Sequence, residues 1–352
     1  MSTTIGDVIL VLRRAAGMTQ ADLADRLGIT QTALSRYENN LRHPDSQTTN
    51  RIASALGVTT QFLEHDFRMQ GAIAADAHMR RQKTAGPAMW KRVEAEVNGL
   101  RMQSIFLLER VPLRPVNQVL HLDPDETGPD EAARMQRAAW RMPIGPVRDL
   151  TAWVESAGIL VVEQDFGTPR IDGMSQWAGD HAVIMVNVTA PTDRKRLTLA
   201  HELGHLVLHS IYQDKDVEEQ ANAFAAEFLM PAHLIRSRLR TIDLGKLLAL
   251  KREWGVSIQQ AIIEHAYRLG TLSKDKRTAL YKQLSRRGWR RREPGSADLP
   301  PETPALASSI GETLSESGLS DDEIRSLVGV DGSRQSPFLP SRAHSGLRLV
   351  RS

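Results

Sequence analysis

Residues 19–44 read TQADLADRLGITQTALSRYENNLRHP, a pattern that predicts two short helices joined by a tight turn. Thr19 can cap a helix N-terminus, with Asp22 three residues on to complete a capping box. Leu23, Ala24 and Leu27 share the inner face of that helix, small Ala24 lets a neighbour come close, and Gly28 permits the turn. Ile29 then packs inward and Thr30 can cap the second helix, whose Ala33, Leu34 and Tyr37 face the core. Gln31, Thr32, Ser35 and Arg36 are left outside. Amide, hydroxyl and guanidinium groups on one exposed face are the types that read base edges in a major groove.

From Thr19 to Pro44, and on through Ala53-Ser54-Ala55-Leu56-Gly57-Val58, the chain resembles the XRE family of helix-turn-helix regulators, the type of phage repressors and Cro. The resemblance implies that Gln20 and the Asn39/Asn40 region hold phosphates of a double-stranded DNA operator, and that Gln31, Thr32 and Arg36 face its bases. It also implies that Arg13 and Glu38 tie the first helix to the end of the recognition helix. Residues 1–66 carry six Lys/Arg against seven Asp/Glu, so phosphate neutralisation has to come from elsewhere. A homodimer on DNA is expected to supply it, or else residues 67–115, with nine Lys/Arg against four acids.

A second stretch, LAHELGHLVLH at 199–209, places HExxH inside a helical pattern. His201 and His205, four apart, share a helix face and can reach one metal ion, while Glu202 can address a water beside it. The chain has no cysteine, so any metal must be held by His, Asp or Glu. His209 continues the spacing but lies about 12 Å along the axis from His201, too far to share the ion on an unbroken helix. It is read as a supporting or packing histidine. On the next helix, Glu218 and Asn222 are again four apart: Glu218 can complete a His-His-Glu set and Asn222 can hold a ligand histidine. Glu219 is the reserve choice. A His-rich set favours zinc, one ion per chain.

LAHELGHLVLH followed by EEQANAFAAEFLMP resembles the ImmA/IrrE family of zincin-like metallopeptidases. Carried over, the resemblance implies that His201, His205 and Glu218 are zinc ligands and that Glu202 is the general base. It also implies an action on repressors of the XRE type, with the strand His181–Val188 as the edge where a peptide adds. The group that stabilises the transition state stays open among His181, His209 and Tyr212.

The 352 residues are 41% hydrophobic and 25% charged, with a formal charge of +3, which fits a globular protein of two or three domains. Val8–Leu12 and Ala182–Val186 are far shorter than the ~20 residues that span a bilayer, and the first residues do not read as a secretory signal. A cytoplasmic location without membrane contact is expected. The expected fold is multidomain: an all-α helix-turn-helix domain at 1–66, a helical linker region at 67–130, an α+β zincin-like domain at 131–286, and a disordered tail at 287–352. The zincin-like domain should be mainly helical, with a small β-sheet (Ile159–Val162 and a hairpin around Ala178-Gly179-Asp180) and a helical C-terminal cap. Leu244–Arg268 has a helix, Gly-Val-Ser turn, helix shape that could be a second DNA reader or that cap. Arg286–Arg292 holds five arginines around Trp289.

Two functional readings follow. In the first, a DNA-binding transcriptional regulator carries a zinc metallopeptidase that hydrolyses a bond in a repressor or other regulatory protein. In the alternative, a metal-containing domain senses a ligand or partner without hydrolysis and modulates DNA binding.

Overall fold

The computed structural model describes residues 3–67, 86–209, 216–290 and 292–340. The N-terminal helices are α1 (Ile5–Ala15), α2 (Gln20–Leu27), α3 (Gln31–Glu38), α4 (Ser46–Leu56) and α5 (Thr60–Leu63). Thr19 and Asp22 form the expected capping box on α2, Gly28 closes that helix at φ +62°, and Thr30 caps α3. Leu23, Ala24, Leu27, Leu34 and Tyr37 are buried. Arg13 on α1 donates to both oxygens of Glu38 at 2.5 and 2.9 Å, a forked pair that joins α1 to the end of α3.

Helix α6 (Pro87–Leu108) follows, then α7 (Pro129–Ala139), α8 (Leu150–Ser156) and a three-stranded sheet of β1 (Leu160–Gln164), β2 (Gly173–Ala178) and β3 (His181–Asn187). β3 is the middle strand, parallel to β1 and antiparallel to β2. This corrects the expectation that His181–Val188 forms a free edge. The reason lies in its composition: Ala182–Val186 is an unbroken apolar run, and both faces of the strand are buried, as befits a central strand. Leu160, Val183 and Met185 join one core, while Val161, Ile184 and Val186 join another. The first core is continuous with the N-terminal helices. The second is built with α9 (Thr192–Leu208), α10 (Val217–Leu229) and the helices beyond: α11 (Ala232–Ile235), α12 (Leu244–Trp254), a π-helical turn (Ile258–Ile263) running into α13 (Glu264–Arg268), and α14 (Lys274–Arg286).

Where a charged linker helix was expected, α6 is instead a core element. It packs against α1 on one side and β2 and β3 on the other, and residues 99–108 are all buried. Arg101 donates to Gln176 of β2 at 3.0 Å. Residues 68–85 of that expected linker lie outside the described residues. The second helix-turn-helix shape is also resolved: Ser257 caps the π-helical turn, and Ile258, Ala261, Ile262 and Ile263 are buried. Its apolar residues join the second core, while Gln260, Tyr267 and Arg268 on the other side are exposed.

The tail departs furthest from expectation. Residues 306–316 and 321–328 form α15 (Leu306–Glu316) and α16 (Asp321–Val328), with Ile310, Ile324, Val328, Val330 and Phe338 buried in the N-terminal core. Val330 bridges Val58, Thr59 N donates to Gly329 O, Asp331 N donates to Gly57 O, and Arg334 donates to Leu56 O. The tail's apolar residues are too few to make a core of their own, which is why composition reads as disorder; they recur at helical spacing and complete a surface supplied by another part of the chain. Glu155 accepts the Ala305 and Leu306 amides, and Glu302 meets Arg196, so the start of the tail is fixed to the sheet domain. Among the described residues no helix is long and apolar enough to cross a membrane.

Phe338 lies 0% exposed in the shared core. Phe338→Ala is expected to lower unfolding free energy by about 3–5 kcal/mol in urea titration; a change near zero would show that the tail does not stabilise the N-terminal helices.

Candidate metal centre and DNA-facing helix

α9 is buried along nearly its whole length between the sheet and α10. Gly204 allows this, because a Cβ there would stand 3.0 Å from the Phe224 ring. The close approach sets His201 and His205 opposite Glu218. Nε2 of His205 is 3.0 Å from Nε2 of His201 and 3.4 Å from a Glu218 oxygen, and His201 Nε2 is 3.6 Å from the other. One ligand atom from each residue falls within 4.8 Å of the others, and all three residues are buried.

Hydrogen bonds set which nitrogens are free to coordinate. Asn222 Oδ1 lies 3.1 Å from His201 Nδ1, so Nδ1 donates and Nε2 keeps its lone pair. Gln220 Oε1 lies 2.7 Å from His209 Nε2, which donates and leaves His209 Nδ1 to accept from His205 Nδ1 at 3.0 Å. Both Nε2 lone pairs therefore converge beside a carboxylate. That arrangement fits a cation: nitrogens about 2.0–2.1 Å from one zinc ion stand a little over 3 Å apart.

Glu202 is 3% exposed and accepts a 2.6 Å hydrogen bond from Ser175 Oγ of β2. With His201 and Glu218 it lines a cleft of about 1060 Å³, whose far wall includes Gln260, Glu264, Tyr267 and Lys274. Glu219 is exposed and outside the triad. His181 opens β3 at the hairpin, paired with Ala178, three positions along the ladder from Ser175, and lines a different groove with Trp177. Tyr212 lies outside the described residues. Ser175 and Gln220 were not singled out from the sequence; nothing local marks a strand serine, or a glutamine on the next helix, as the partner of a site residue on α9.

On α3, Gln31, Thr32 and Arg36 are exposed and Ser35 is half-buried. Asn39 is exposed and donates to Ser35 O at 2.7 Å. Gln20 departs from the simple expectation, since its side-chain amide donates to Glu38 Oε2 at 2.8 Å.

Comparison with known proteins agrees with both halves. Residues 154–264 match the family described as the IrrE N-terminal-like domain, and residues 9–63 match the helix-turn-helix family. The radiation response metalloprotease IrrE of Deinococcus radiodurans is 33% identical over 99 residues, 24% of this chain and 30% of that protein. The SPbeta prophage-derived uncharacterized HTH-type transcriptional regulator YonR of Bacillus subtilis is 36% identical over 58 residues, 16% of this chain and 54% of its own. The HTH-type transcriptional regulator ImmR of Bacillus subtilis is 33% identical over 60 residues, 17% of this chain and 47% of its own. The chain thus spans between 30% and 54% of the length of these relatives. It joins an XRE-type helix-turn-helix, a domain of DNA-binding transcription regulators, to an IrrE-like domain of the metalloprotease family, a type that implies a bound metal.

His265, on the cleft wall, contacts Met230 O at 2.9 Å. Burial, and next the charge of Arg268, push it from 6.5 down to about 4. The folded chain therefore holds it neutral, while the unfolded chain takes up a proton at 6.5. Its contribution to stability is present above about pH 6.5 and is lost as pH falls toward about 4. His265→Gln should flatten the fall in urea midpoint across that window; an unchanged slope would refute the assignment.

Proposed function

We propose that the chain is a DNA-binding transcriptional regulator, acting in the cytoplasm as a homodimer on a double-stranded operator, whose second domain is a zinc peptidase. The supporting observation is the buried His201–His205–Glu218 triad on an open cleft, with the Glu202 carboxylate beside it. Gln31, Thr32, Ser35 and Arg36 face bases in this reading, and Gln20 and Asn39 stand at phosphates. The target is a peptide bond in a repressor or other regulatory protein.

His201, His205 and Glu218 would hold one zinc ion, with Asn222 fixing the His201 ring and the His209–Gln220 pair fixing the His205 ring. Bound there, zinc supplies Lewis acidity toward the scissile carbonyl and toward water. Glu202 takes the proton of the attacking water at a carboxylate oxygen and returns it to the leaving amine nitrogen. Ser175 Oγ orients that carboxylate. A second reading, a metal-dependent sensor that changes DNA affinity without hydrolysis, is favoured by one feature: α6 joins α1 of the helix-turn-helix to the strand that carries Ser175.

Zinc-loaded protein incubated with XRE-type repressors encoded beside its own gene should give a discrete cleavage by intact mass, absent with Glu202→Gln. No cleavage of the neighbours or of the chain itself would overturn the hydrolytic reading in favour of the sensor. In chelator competition, His205→Ala should abolish stoichiometric zinc binding and His209→Ala should weaken it by about 10–100-fold. Unchanged affinity in both variants would remove the proposed metal site.

A further inference from the structure

The cleft that holds the triad is not isolated. Gln260 belongs to its wall and also to that of a neighbouring cavity of about 940 Å³, lined by Trp289, Arg290 and Arg292 among others. α14 begins at the first cavity with Lys274, and the segment after its end reaches the second with Trp289, Arg290 and Arg292. Residues 274–292 contain nine lysines and arginines against one acid, Asp275, in a chain whose formal charge is +3, so the rest of the molecule is net negative.

Lys274, Lys276, Lys282 and Arg286 on α14 are exposed, as are Arg287, Arg290 and Arg292 after it. No ion pair holds any of these seven among the described residues. Three of the carboxylates nearby are already engaged. Glu264 binds Arg277 and the Tyr281 hydroxyl, Asp172 binds Arg194, and Glu293 accepts from Lys251 and from the Ile258 and Gln259 amides. Glu219 is exposed on the triad side. Aromatic rings hold some of the guanidiniums in place: Arg290 lies 5.6 Å from the Tyr281 centroid and Arg287 lies 5.7 Å from that of Trp289. Charges held this way lose less freedom on binding a partner.

We propose that this basic face is a docking surface for an acidic stretch of the polypeptide whose backbone enters the metal cleft, so that the substrate class is a protein with a cluster of Asp and Glu near the scissile bond. The inference rests on the peptidase reading above. An acidic polypeptide fits better than nucleic acid because of position. α14 packs in the core on one face of the sheet, whereas the helix-turn-helix packs in the core on the other. A duplex seated on α3 is therefore across the sheet from this patch, while the metal cleft adjoins it.

The test is fluorescence anisotropy on the full, zinc-loaded chain carrying Glu202→Gln. The probes are a short labelled peptide rich in Asp and Glu, and the same peptide with Asn and Gln in their place. The acidic probe should bind about tenfold tighter or more, weaken with salt, and lose that advantage when Lys282, Arg286, Arg287 and Arg290 are changed to Glu. Changing the same four to Gln should give an intermediate loss, which guards against misfolding of the reversed variant; helix content and thermal midpoint check both. Equal binding of the two peptides, or no loss on reversal, overturns the proposal. Displacement of the acidic peptide by an excess of unrelated DNA duplex also overturns it and makes the patch a nucleic-acid surface. The two readings fail separately: absence of cleavage by the wild-type chain counts against the peptidase, whereas a substrate cut equally well after charge reversal counts against the docking surface.

Discussion

The interior of this protein is organised around a helix that must be buried while carrying imidazole and carboxylate groups. α9 lies between the sheet and α10, and Gly204 lets the α10 backbone approach closely enough to enclose it. Polar groups taken out of water need partners, or they cost several kcal/mol each. Here every site residue on α9 has one: Asn222 for His201, His209 and Gln220 for His205, and Ser175 for Glu202. The same contacts that relieve burial also aim two Nε2 atoms and a carboxylate at one point. Stability and site geometry are thus consequences of a single packing requirement.

The second organising feature is α6. A helix buried on all sides over residues 99–108 cannot move against one neighbour without disturbing another, because protein interiors are close-packed. α6 touches α1, whose Arg13 holds the end of α3, and it touches β2, which carries Ser175. The tail helices fill the remaining flank of the same core. The helix-turn-helix therefore shares its core with one face of the sheet, and the His201–His205–Glu218 cluster lies across that sheet on the other face.

What could be read from the chain itself was what depends on near neighbours. The caps at Thr19 and Thr30, the left-handed Gly28, the inward set of Leu23, Leu27 and Leu34, and the four-residue spacings of His201/His205 and Glu218/Asn222 are all settled within a turn or two of helix. The unseen parts each involve partners far apart in sequence. The apolar run of β3 marks burial but not which strands flank it, so its central place is not legible locally. The tail looked disordered because Phe338 and Val330 find their partners in residues around Val58 and Phe62.

By itself, then, the sequence determined a helix-turn-helix with exposed amide, hydroxyl and guanidinium groups, and two helices bearing a possible His-His-Glu set, since local hydrogen bonding and helical periodicity are written in adjacent residues. Tertiary structure alone decided that Glu218 rather than Glu219 joins the two histidines, that Ser175 reaches Glu202, that Gln20 turns to Glu38, and that the C-terminal helices close the N-terminal core. Those outcomes follow from how close two distant backbones can come, which depends on the volume and shape of everything packed between them.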